Sequence, residues 1–108
     1  MPSPVLVDDS VYLFGDKGIA TCLDRHTGEA RWTGRLGGSF SSSPLFADGK
    51  IYVGNHEGEM FVIEPGDTLA ILAKNDFDEA IMASPAAIGD SLFVRTGRAM
   101  YRIKKADF

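Results

Sequence analysis

The chain has 108 residues, 44% hydrophobic and 24% charged, with a formal net charge of −4. This is enough for one small domain with a core, and the mixed composition is not that of a disordered chain. The negative balance argues against nucleic acid or an anionic membrane as partner, since both require clustered Lys and Arg; the only adjacent basic pair is Lys104–Lys105.

Met1-Pro2-Ser3-Pro4 has neither the charged nor the apolar region of a secretory signal, and no apolar run in the chain approaches membrane-spanning length. Ser3-Pro4 opens a short apolar strand, residues 5–7. Asp8-Asp9-Ser10 then forms a turn, with both aspartates read as turn formers, and Val11-Tyr12-Leu13-Phe14 makes a second strand. A glycine-bearing turn, residues 15–18, leads to a third strand at 19–23. Cys22 lies there with no partner for an intrachain disulfide and reads as a small buried hydrophobe. A fourth strand occupies 30–36, and a Gly- and Ser-rich link follows at 37–43.

The same series then begins again. Ser43-Pro44, Asp48-Gly49-Lys50, Ile51-Tyr52-Val53, a turn at 54–58 and a run at 60–63 restate the first repeat, and Leu69 opens a fourth strand at 69–74. Residues 69–73 hold good helix formers, but they fill the fourth-strand slot and are read as strand. Ser84-Pro85, Gly89-Asp90-Ser91, Leu92-Phe93-Val94, a turn at Thr96-Gly97-Arg98 and a run at 100–103 start a third repeat, which stops after its third strand. The repeats recur at intervals of about 40 residues. Each run is short, rich in Val, Ile, Leu, Tyr and Phe, and bounded by Gly, Asp, Asn or Ser, which reads as strand and hairpin turn.

Four antiparallel strands in about 40 to 45 residues is the unit of a propeller blade. The expected fold class is therefore all-β, with about two and three-quarter blades. Residues 1–108 would form a partial β-propeller, with blade one at 3–40, blade two at 43–75 and an incomplete blade three at 84–104.

The turn after the third strand of repeat one carries the densest motif. Asp24 can accept backbone N–H groups, Gly28 can adopt a left-handed conformation, and Trp32 offers a large apolar face to a neighbouring blade. Leu23, Asp24, Thr27, Gly28 and Trp32, in this spacing and after the Ser-Pro and apolar-Tyr-apolar elements, resemble the quinoprotein (PQQ-like) repeat family, in which alanine is usual at the position of Cys22. The resemblance covers nearly the whole chain. It implies that Asp24, Thr27, Gly28 and Trp32 form a structural docking motif and that Trp32 is largely buried against small residues and a glycine peptide of an adjacent repeat. It also implies that the Ser-Pro strand is innermost in each blade and the fourth strand outermost. Repeat two keeps only Glu64-Pro65-Gly66-Asp67-Thr68, with Leu72 near the tryptophan position.

The remaining chemistry-bearing residues read as structural. His26 and His56 fall in turns of different blades, without the further ligands a metal site needs. Asp76, Asp78 and Glu79 could serve a hard cation, but the other ligands of a calcium loop are missing, so they read as a solvated connection. Residues 37–43 resemble a phosphate cradle without its Gly-Lys-Thr/Ser. Ser41, Ser42 and Ser43 lack the elbow of a nucleophile.

No catalytic, cofactor-binding or metal-binding residue is expected, and no cofactor. The expected role is a non-catalytic propeller scaffold or interaction module from a larger PQQ-like repeat protein. Its partners would be other blades or another protein, and copies of the isolated chain would self-associate. The alternative is a fragment of a quinone-dependent dehydrogenase. The resemblance implies a bacterial periplasm or cell-envelope setting.

Overall fold

The computed structural model describes residues 4–15, 17–40, 43–77, 79–81 and 85–104. Eleven strands in these residues form three antiparallel sheets. The first contains β1 (Val5–Val7), β2 (Ser10–Phe14), β3 (Ile19–Asp24) and β4 (Ala30–Arg35). The second contains β5 (Leu45–Ala47), β6 (Lys50–Gly54), β7 (Glu59–Glu64) and β8 (Ala70–Asp76). The third contains β9 (Ala86–Ile88), β10 (Ser91–Arg95) and β11 (Met100–Lys104). Within each sheet the strands neighbour one another in chain order. Residues 69–73, the helical rival, belong to β8 apart from Leu69.

Tight turns permit this order. Asp48 and Gly49 both have positive φ, 52° and 74°, the backbone that matches strand twist in a two-residue hairpin. Both complete sheets carry a β-bulge at the same place. Cys22 faces Trp32 and Leu23 faces Ala30, so Arg31 is the extra residue; Val62 faces Ala73 and Ile63 faces Ile71, so Leu72 is the extra residue. By register, then, Ala73 stands in the tryptophan position, and Leu72 stands where repeat one has Arg31.

The sheets stack face to face. Tyr12, Phe14, Ala20 and Cys22 from the first meet Ile51, Val53, Phe61 and Ile63 from the second in one buried cluster. Tyr52, Met60 and Val62, on the opposite face of the second sheet, meet Leu92, Val94 and Ile81 in another. Residues alternate across a strand, so the middle sheet needs apolar side chains on both faces, and β6 and β7 are buried almost throughout. β2 alternates, because only one of its faces is covered. β1 and β5 approach each other at one edge of the stack.

The links between sheets are tied by repeated backbone bonds. The Phe40 N–H donates to the Gly15 carbonyl at 3.2 Å, and the Ile81 N–H donates to the Asn55 carbonyl at 3.0 Å. Leu36 and Phe77 donate to the carbonyls of Gly18 and Gly58 in the same way. Each link is thus hooked onto the hairpin between the second and third strands of the sheet it leaves.

Candidate functional site: the sheet-to-sheet fastener

The densest set of polar contacts lies where the β3–β4 turn of the first sheet meets the β7–β8 turn of the second. Asp24 ends β3, and one of its carboxylate oxygens accepts the backbone N–H groups of His26 at 2.8 Å and Thr27 at 3.1 Å. Gly28, at φ +76°, donates to the Asp24 carbonyl, and the Thr27 hydroxyl accepts the N–H of Glu29. These bonds close the turn and deliver Arg31 and Trp32 to the second sheet.

The bulge turns Arg31 toward two carboxylates. Its guanidinium donates to Asp24 at 2.8 Å within its own sheet and to Asp67 at 3.2 Å in the next. The indole Nε1 of Trp32 donates to the Gly66 carbonyl at 3.0 Å, and the Gly66 N–H donates to the Tyr12 hydroxyl at 3.0 Å. One glycine residue in the turn of the second sheet is therefore gripped through both its carbonyl and its N–H, which belong to the two peptides on either side of it. The rings of Tyr12 and Trp32 stack obliquely, with centroids 6.0 Å apart. Gly34 keeps room for the neighbour, since a Cβ there would run into Leu69 Cδ2.

Trp32 is partly buried and packs against the first apolar cluster. It lies on β4, an edge strand of its sheet, with its ring against Tyr12 and its N–H on Gly66.

The electrostatics follow from these contacts. The backbone N–H groups of His26 and Thr27, and after them Arg31, hold the Asp24 carboxyl below the usual carboxylate range. Burial works against the charge of Arg31, but Asp67 and Asp24 outweigh it and push the guanidinium up. Burial also pushes the Tyr12 phenol up, while the Gly66 N–H that its oxygen accepts acts the other way. An open cleft of about 240 Å³ beside the fastener is lined by Asp8, Asp9, Ser10, Tyr12, Arg31 and Asp67, among others.

The second interface is held differently. With Ala73 and Leu72 in place of the tryptophan and arginine, the link supplies the contacts. Phe77 packs on Tyr101 with centroids 5.1 Å apart, and the Tyr101 hydroxyl donates to Glu79 at 3.4 Å. Arg98 lies 3.8 Å from Glu79, and Ile81 bridges to Thr96.

The other residues singled out in the sequence lie apart. His26 sits in the exposed β3–β4 turn beside Asp9, at 3.3 Å, whereas His56 sits in the β6–β7 turn at the other end of the stack. Cys22 is fully buried between the first two sheets. Asp76 ends β8 and Glu79 faces the third sheet, so the acidic group is split; Asp78, Ser41 and Ser42 lie outside the described residues. Sequence reasoning missed Tyr12, Arg31, Gly66 and Asp67 as fastener residues. The signal available for Gly66-Asp67 was the glycine turn that repeat two retains.

Two four-stranded meanders and a three-stranded one, stacked over two covered interfaces and hooked each to the next through its link, define a partial β-propeller. The family profile PQQ_2, described as outer membrane protein assembly factor BamB, matches residues 1–71, and the chain belongs to that family. No curated protein sequence matches it. Among solved structures it is similar to BamB from Moraxella catarrhalis, with a TM-score of 0.81 and 16% identity over 96% of this chain and 33% of that one. It is also similar to a quinohemoprotein alcohol dehydrogenase from Pseudomonas putida HK5, with a TM-score of 0.73 and 19% identity over 87% of this chain and 16% of that one. A europium-containing methanol dehydrogenase gives a TM-score of 0.73 and 16% identity, over 94% of this chain and 22% of that one. The chain thus spans a third or less of the length of each of these structures.

Proposed function

We propose that this chain acts as a non-catalytic interaction module, a set of propeller blades whose surface engages another protein. One observation carries the reading: the polar side chains that converge between the first two blades are engaged with one another. Trp32 and Tyr12 grip Gly66, and Arg31 joins Asp24 to Asp67. Such a constellation holds blades in register and leaves a rigid surface on which loops and edges can recognise a partner. The family description, an outer membrane protein assembly factor, supports this role and a bacterial envelope setting. The net charge of −4 favours a protein partner over nucleic acid.

The competing reading is a piece of a quinone-dependent dehydrogenase, which shares the propeller fold. Titrating the 108-residue chain with pyrroloquinoline quinone and calcium, and following the quinone absorbance, separates the two. The module reading expects no saturable spectral change. A saturable, calcium-dependent change that survives dialysis would overturn it.

A further inference from the structure

We draw no further inference here: the strongest candidate, the open cleft between the β1–β2 hairpin and the β7–β8 turn, rests on the acidic cluster of Asp8, Asp9 and Asp67 alone, with no second feature of the structure that points to a ligand.

Discussion

Replacing Trp32 with alanine removes the indole from both of its contacts, the ring of Tyr12 and the carbonyl of Gly66. A fully buried Trp→Ala costs about 3–5 kcal/mol, so a ring with most of its surface covered accounts for roughly 2–4 kcal/mol. The hydrogen bond contributes about 0.5–1 kcal/mol net, because Gly66 is exposed and water can replace the donor. The expected total is about 2.5–5 kcal/mol. In a domain of this size each kcal/mol moves the midpoint by roughly 4–6 °C, which gives a fall of about 10–30 °C. Thermal melts followed by far-UV circular dichroism measure this directly. Trp32→Phe keeps the ring contact and loses the N–H, so it should cost only about 1 kcal/mol. Trp32 is the only tryptophan, so its emission in the unaltered chain reports on this contact and should change together with the circular dichroism. An unchanged midpoint for Trp32→Ala would refute the fastener.

Tyr12→Phe leaves the Gly66 N–H without its hydroxyl acceptor and is expected to cost about 1 kcal/mol in urea unfolding; combined with Trp32→Phe the loss should be non-additive, since both side chains hold the same glycine and touch each other. Gly58→Ala forces a side chain onto φ +90° and against the backbone of Glu79, so the melt should show a loss of more than about 1 kcal/mol. Lys74 first, and then Asn55, hold the Glu59 carboxyl below its usual range. Its stabilising effect is therefore present above the ordinary glutamate pKa and is lost as pH falls through the lowered one, and Glu59→Gln should flatten the acid limb of a stability–pH profile. Arg31→Met should lower the midpoint at low salt and matter less at high salt, because the pairs it breaks are open to screening.

The strands, the repeats and the turn motif were legible in the sequence because they are local. Hydrophobic runs bounded by Gly and Asx fix strand and hairpin, and recurrence at about 40 residues fixes the unit. Asp24 and Gly28 could be given their roles because they act on backbone within four residues of themselves. Leu72 was placed near the tryptophan position, but the bulge that sends Arg31 sideways also puts Ala73 there, and a bulge is set by pairing across strands rather than along one.

Only the tertiary structure decided which apolar residues are covered. Val11-Tyr12-Leu13-Phe14 and Ile51-Tyr52-Val53 read alike, yet Leu13 is 37% exposed and Val53 fully buried, because the second blade has a neighbour on both faces. The partners of Trp32 lie 34 and 20 residues away in sequence, at Gly66 and Tyr12. The resemblance implied a glycine peptide of an adjacent repeat, but that it is Gly66, with the Tyr12 hydroxyl on its N–H, required the fold.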